Sequence, residues 1–369
     1  MENWKEMTVG DLCQTISDTY HRNDAKVVLV NTSDVLEGKI LNHQSVLNRN
    51  LRGQFKKTFK KDDILYSEIR PKNKRYAYVD FEDTKNYIAS TKLMVLRPNK
   101  DIVLPRFLLA YLSSSDVIAE LQYLAETRSG TFPQITFSSE LAHLPISVPN
   151  LKIQKKIVDM LDSIEEKIWN NDSINKNLLE QAQAIYTKMF ITDADSLWPE
   201  GKLSDLIEVC YGKDHKKLHD GDIPVYGSGG IMRHVDRALY EQESVFVPRK
   251  GTLNNVMYVN EPFWSVDTMF FTKMKRQNVA KFVFHFLKGK DLASMNAGSA
   301  VPSMTTKILN AIPLQIPDDQ TLSTFEAQVS PFYQAASYNN KESENLAAIR
   351  DSLLPKLMSG EIDVSDIDL

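Results

Sequence analysis

At 369 residues, with 42% apolar and 25% charged side chains, the chain exceeds one ordinary core and reads as two or three soluble globular domains. Its 44 basic residues face 48 acidic ones, a net charge of −4, which excludes a polycation coating nucleic acid along its whole length; any such site has to be local. Cys13 and Cys210 lack metal-ligand spacing, no apolar run reaches the length of a membrane span, and no cleavable signal precedes Trp4, so the cytoplasm is the default compartment.

The chain opens on Trp4-Lys5-Glu6-Met7-Thr8-Val9-Gly10-Asp11-Leu12. Residues 26–30 and 64–69 are strand-like apolar runs. From Arg49 to Arg75 there are ten Lys or Arg (49, 52, 56, 57, 60, 61, 70, 72, 74 and 75) against three acids, Asp62, Asp63 and Glu68, with Phe55, Phe59 and Tyr66 interleaved. Residues 107–124 read as helix, with an apolar helix from Arg106 to Leu112. A proline-bounded segment, Leu144-Pro145-Ile146-Ser147-Val148-Pro149, then leads into a long amphipathic stretch.

Residues 151–190 carry apolar side chains at Ile157, Leu161, Ile164, Ile168, Leu178, Ala182, Ile185 and Met189, in steps of four and three that mark a coiled-coil seam. Asn171 and Asn175 interrupt it at its middle. A buried Asn lowers stability but fixes the register a seam accepts.

The second half repeats the parts in order. Trp198-Pro199-Glu200-Gly201-Lys202-Leu203-Ser204-Asp205-Leu206 echoes the opening, and strand-like runs follow at 244–247 and 255–259. Val266 to Phe270 resembles Ser90 to Met94, and Lys281 to Leu287 resembles Arg106 to Leu112. Val301-Pro302-Ser303-Met304-Thr305 then matches Phe132-Pro133-Gln134-Ile135-Thr136. Adding 168 to each seam number lands on Phe325, Val329, Phe332, Ala336, Asn339, Ser343, Leu346, Arg350, Leu353 and Leu357, so the polar interruption is copied with the apolar pattern. The chain is read as a tandem duplication: globular part, helix, globular part, helix. Two such helices paired antiparallel bring polar centre to polar centre. Pro331, inside the second helix, predicts a kink or a later helix start.

Catalytic signatures are missing. There is no phosphate-binding Gly-x-x-x-x-Gly-Lys-Ser/Thr loop, no Asn-Pro-Pro-Tyr-like tetrapeptide and no dinucleotide fingerprint. His215, His219 and His234 fit no metal motif and read as solvated side chains. Gly227 to Gly230 reads first as a tight turn, compatible with cradling a phosphate. The candidate DNA-binding residues are Lys56, Lys57, Arg70, Lys72, Asn73, Lys74 and Arg75 in the first copy. In the second they are Tyr226, Ser228, Gly229, Gly230, Arg233, Arg249, Lys250, Thr252 and Asn254. Such residues supply phosphate contacts, and Arg and Asn read guanine and adenine edges. A solvated charged face is the competing interpretation of any one cluster.

The runs Ile223-Pro224-Val225-Tyr226-Gly227-Ser228-Gly229-Gly230-Ile231 and Pro248-Arg249-Lys250-Gly251-Thr252, with the ending Leu353-Leu354-Pro355-Lys356-Leu357-Met358-Ser359-Gly360-Glu361-Ile362, resemble the specificity subunit of type I restriction-modification enzymes along the whole chain. The resemblance implies an α+β fold with two similar mixed target recognition domains, separated by two long helices that form an antiparallel coiled coil with a pseudo-two-fold. The corresponding segments are 1–150 and 193–317 for recognition, 151–192 and 318–369 for the spacers. It further implies that each domain reads half of a bipartite site in double-stranded DNA. A helix of about 40 residues, roughly 60 Å long, would set the spacing. This chain would hold no cofactor and catalyse nothing; methylation subunits, two of them, and restriction motor subunits would carry the chemistry, with no membrane involved. Exposed helix faces including Tyr186, Lys188, Lys356 and Met358 are candidate docking surfaces for the methylation subunits, against ordinary helix-end packing. A recognition module of a type II-like enzyme and a coiled-coil scaffold without a DNA role are the alternatives.

Overall fold

The computed structural model describes residues 4–21, 24–49, 51, 53–128, 131–295, 303–365 and 367. Arg52, Val301 and Pro302 lie outside the described residues. Two compact units form: Met1–Asn170 with Lys341–Leu369, and Asn171–Asn340.

In the first unit the strand order of one sheet is Cys13–Ile16, Leu93–Pro98, Ile64–Ser67, Tyr76–Tyr78, all neighbours antiparallel. A second sheet runs Ser45–Leu47, Lys26–Val30, Tyr87–Ser90, Phe55–Lys57, its two central strands parallel. The second unit repeats both. Its larger sheet is Ile207–Tyr211, Met269–Met274, Ser244–Pro248, Met257–Val259, and the smaller, of three strands, is Gly230–Val235, Ile223–Gly227, Trp264–Ser265, the last two again parallel. Even the opening strand pair is copied. Lys5–Thr8 pairs with Pro145–Val148 and Glu200–Lys202 with Pro313–Gln315. The next turn is closed in each unit by an Asp carboxylate accepting the N–H three residues back: Thr8 to Asp11 at 2.8 Å and Lys202 to Asp205 at 2.7 Å.

The first long helix is Leu151–Thr187, continued by a π-helical turn Lys188–Thr192; the second is Asp319–Met358. In the first unit Lys156 Nζ donates to the carbonyls of Ser365 and Ile367, and Lys167 meets Glu342 at 3.0 Å. In the second unit Asn175 donates to Asn340 while the Tyr186 ring lies 6.1 Å from that of Phe325. Rising numbers on one helix meet falling numbers on the other, so each unit contains an antiparallel helix pair. The described seam residues are buried or half-buried on both helices.

Each globular part is fastened to its helices by a cation at the same place in the repeat. Arg106 donates to Asp162 at 2.9 Å (Nε) and 2.5 Å (Nη2) and lies over the Tyr78 ring. Lys281, buried, reaches Glu326 at 2.6 Å and Glu243 at 3.0 Å beneath the rings of Tyr258 and Tyr333. Buried charges survive only when paired in this way, and removing one partner would strand the other.

One expectation needs correction, and of the two alternatives at Pro331 the later helix start is excluded. The predicted 107–124 helix is two, Pro105–Leu112 and Ser115–Arg128; the chain turns at Ser113 and Ser114, where the Ser114 N–H closes on the Tyr111 carbonyl at 3.1 Å and Ser113 Oγ donates to the Ala110 carbonyl. The second long helix begins twelve residues before Pro331 and continues through it. The carbonyl that a proline at 331 leaves without its helical donor belongs to Ala327; both residues are exposed, so water can satisfy it.

Candidate nucleic-acid interface

The basic loops of the two copies are the same loop. Glu68 N–H donates to the Lys92 carbonyl at 3.0 Å, the Glu68 carbonyl accepts from Ile135 at 2.9 Å, and Ile69 bridges to Gln134. In the second unit Arg249 N–H donates to the Thr268 carbonyl at 2.8 Å, its carbonyl accepts from Met304 at 2.9 Å, and Lys250 bridges to Ser303. Lys74 N–H then closes on the Pro71 carbonyl at 2.9 Å and Asn255 N–H on the Thr252 carbonyl at 3.0 Å. Residues 68–74 and 249–255 therefore correspond one to one, and Arg70 stands where the second unit has Gly251. Both have left-handed backbone, φ +46° and +86°. A glycine adopts it freely, whereas an arginine preceding Pro71 is strained there. The Arg70 N–H is anchored by the Pro133 carbonyl at 3.1 Å.

Hydrogen bonding divides the candidates. Lys56, Arg70, Lys72 and Asn73 are exposed, and their side chains have no partner among the described residues. Three others are occupied. Arg75 Nη1 donates to the carbonyls of Ser33 and Val35 at 3.1 and 3.3 Å, and Lys74 pairs with Glu37 at 3.1 Å. Lys57 Nζ donates to the Leu93 carbonyl at 2.8 Å, where burial pushes its pKa down against the pull of Glu68. The sequence could not separate these sets, because it shows charges but not carbonyls.

In the second unit Ile223–Gly227 and Gly230–Val235 form a hairpin turned by Ser228 and Gly229, with Gly230 at φ +112°. Asn255 Nδ2 donates to the Ser228 carbonyl at 2.7 Å, tying the hairpin turn to the 249–255 loop. Lys250 and Thr252 are exposed, with side chains unpartnered among the described residues. Arg249 gives one N–H to the Asp267 carbonyl at 3.1 Å and lies 5.5 Å over the Tyr211 ring. Arg233 is held by the Leu218 carbonyl at 2.8 Å and Asp220 at 3.1 Å. Asn254 bonds Asp291 and the Ala293 N–H, and Tyr226 donates to Glu261 at 2.8 Å. His219 and His234 are exposed, and no metal-binding group of three His, Cys, Asp or Glu forms among the described residues.

A cleft of about 610 Å³ behind the first loop has no counterpart in the sequence pattern. Lys72, Lys74, Arg106 and Arg350 line it together with Glu37, Asp80, Asp162 and Glu165. Burial raises the Glu165 pKa against the opposing pull of Arg106 and Arg350. Mixed charge of this kind gives no preference for an anion.

The expected exposed docking face is half wrong. Tyr186 is buried against Phe190, Phe282 and Phe325, and Met358 is buried in the first unit's core. Both lie on the inward side of their helices, one residue beyond the seam positions Ile185 and Leu357. Lys188 and Lys356 are exposed, the latter 3.5 Å from Glu361.

Comparison with known proteins follows the same division. The family described as type I restriction modification DNA specificity domain matches residues 1–181 and 195–343. The chain is 29% identical to the type I restriction enzyme HindI specificity subunit of Haemophilus influenzae, across 98% of this chain and 100% of the relative. It is 23% identical to the MjaIX specificity subunit of Methanocaldococcus jannaschii, over 73% and 71% of the two chains. In fold it is similar to the crystal structure of a type I restriction-modification system S subunit from M. genitalium, with a TM-score of 0.54 and 20% identity over 96% of each chain. Two matched domains covering most of the sequence place this chain in the type I restriction-modification DNA specificity family.

Proposed function

We propose that the chain is the DNA sequence-recognition subunit of a type I restriction-modification complex. Segments 1–150 and 193–317 each read one half of a bipartite site, and segments 151–192 and 318–369 fix the spacing between the halves. The observation that carries this is the copied loop: two domains of one topology end the same strand in the same turn, at 68–74 and 249–255. Two copies of one reading device suit a target in two parts. Arg70, Lys72 and Asn73 in the first loop and Arg249, Lys250 and Thr252 in the second are the base and phosphate readers, and Lys56 adds a phosphate contact. Ser228, Gly229 and Gly230 bring backbone close to the duplex. The chain itself catalyses no transfer. Methylation subunits, two of them, supply S-adenosylmethionine chemistry and restriction motor subunits supply ATP-driven cleavage. Lys188 and Lys356 lie on the faces that meet the methylation subunits. No helix among the described residues is long and apolar enough to cross a membrane, and the cytoplasm, where the chromosome lies, is the place of action.

Single-molecule methylome sequencing of the host with and without the gene tests the proposal. A methylated bipartite motif should vanish on deletion, and replacing residues 193–317 by the matching segment of another specificity subunit should change one half of the motif only. An unaltered methylome, or both halves changing together, would refute it.

A further inference from the structure

Most large apolar side chains exposed on this chain stand singly. Among the described residues, two adjacent pairs do not: Val46 and Leu47, 43% and 59% exposed, and Ile231 and Met232, 49% and 60% exposed. They occupy the same place in the two units. Ser45–Leu47 is the antiparallel edge neighbour of Lys26–Val30, and Gly230–Val235 is that of Ile223–Gly227. In both sheets the inner strand's other neighbour runs parallel. Successive residues of a strand point to opposite faces, so each edge is bare on both sides. Neither strand carries a proline, and although Arg233 and His234 blunt the second edge in part, each exposed apolar pair marks a surface that a partner covers. Because the feature is duplicated with the fold, both units meet the same kind of partner.

The surroundings favour a polyanion. Residues 26–61 hold eight Lys or Arg (26, 39, 49, 52, 56, 57, 60 and 61) against two acids, Asp34 and Glu37. Lys26 is the cross-strand partner of Leu47, and Lys26, Arg49 and Lys56 are exposed without an ion pair among the described residues. In the second unit His234 and Arg237 are exposed just beyond Met232 with Asp236 between them, so the charge there is mixed and the strongly basic surroundings are those of the first ribbon. A register shift falls between Val225 and Tyr226, opposite Met232, and the Met232 sulfur fills the space a Cβ on Gly227 would take, 2.5 Å away. Bulges of this kind re-aim a side chain. A two-stranded ribbon fits the major groove, where the apolar group on a base edge is the 5-methyl of thymine.

We propose that the two edge ribbons read thymine, one of Val46 and Leu47 in one half-site and one of Ile231 and Met232 in the other, by packing on its 5-methyl group in the major groove. This rests on the recognition function proposed above.

The full chain, assembled with its methylation subunits, is titrated with a duplex carrying the mapped site and with duplexes in which single thymidines are replaced by deoxyuridine, which removes the methyl alone. At one or more thymines in each half, uracil should weaken binding about fourfold, the worth of burying one methyl-sized group. The paired substitutions Val46→Ser with Leu47→Ser, and Ile231→Ser with Met232→Ser, should each erase the uracil effect in one half. All four side chains are exposed, so thermal melting of the variants should match the parent. Uracil without effect at every position while the site still binds, or an effect undiminished in both variants, overturns thymine reading and leaves DNA recognition standing. Variants that no longer assemble with methylation subunits would assign the ribbons to a protein and overturn it too. A parent complex with no preferred sequence would remove the recognition function itself.

Discussion

The side-chain amide of Asn339 donates to Oδ1 of Asn175 at 2.8 Å. Asn175 Nδ2 in turn donates to Asn340 Oδ1 at 2.7 Å, and Asn171, buried on the same seam, donates to the Asn339 carbonyl at 3.3 Å. These bonds satisfy the polar break in both helices in one register only. Asn339→Leu leaves the Asn175 oxygen without this donor and should destabilise the protein by about 1–3 kcal/mol. Adding Asn175→Leu should restore part of that loss, since replacing both partners of a half-buried bond by apolar groups leaves neither unpaired, although the Asn175 bond to Asn340 is also lost. Urea unfolding of parent, single and double variants reads the difference. A double variant no more stable than the single would mean the two side chains are not coupled.

Arg70 and Arg75 lie in one basic run but differ in occupation. Arg70→Ala should weaken specific DNA binding by about 1–3 kcal/mol, as losing a base-edge reader does, with the melting temperature nearly unchanged, because the side chain is exposed and alanine keeps the Cβ on which the left-handed strain rests. Arg75→Ala should leave binding nearly unchanged and lower stability by about 1 kcal/mol, because its bonds to the Ser33 and Val35 carbonyls are internal. Arg249→Ala should weaken binding as Arg70→Ala does and also lower stability, because Arg249 donates to the Asp267 carbonyl and lies over the Tyr211 ring. Competition binding and thermal melts on the same samples separate these outcomes; equal binding losses at Arg70 and Arg75 would point to a diffuse charge effect.

What could be read from residues alone follows the range of the interaction. The seam and its copied Asn interruption were legible because a heptad repeat is a local pattern, and Trp4 and Trp198 marked the start of each globular part for the same reason. The split at Ser113 was not, since no proline or glycine marks it and both flanking segments carry helical patterns. Nor was the match of Arg70 to Gly251. That match is set by backbone bonds to Ile135 and Met304, more than fifty residues away in each copy, and the side chains at the two positions share nothing. The burial of Tyr186 is not legible either, because it is decided by Phe282 and Phe325, which arrive from other segments.

Lengthening both long helices by four residues, after Asn170 and after Asn340, tests the spacer role. Four residues add about 6 Å of helix, near the rise of two base pairs. Methylome sequencing of a host carrying the lengthened chain should show the gap between half-sites grown by about one or two base pairs, with both half-sites unchanged. Insertion in one helix alone should break the pairing register and abolish methylation. A gap unaffected by the double insertion would deny the helices a spacing role.

His285 is fully buried in the second unit, its Nδ1 2.8 Å from Gln183 Oε1 and its Nε2 2.9 Å from the Tyr333 hydroxyl. The neutral ring donates to Gln183 and accepts from Tyr333. Rings of Tyr186, Phe284 and Phe325 enclose it, and the nearby charges, Lys281, Glu326 and Glu243, are paired with one another. Burial pulls its pKa down to about 4 from 6.5. Between those values the unfolded chain binds the proton and the folded chain does not, so the stabilisation is complete above pH 6.5 and declines as the pH falls towards 4. By about pH 5 the loss should be about 2 kcal/mol. His285→Gln removes the titration while keeping a donor and an acceptor. The urea midpoint of the parent should therefore drop more steeply between about pH 7.5 and 5 than that of the variant, and parallel curves would show that the histidine does not set the acid sensitivity of this unit.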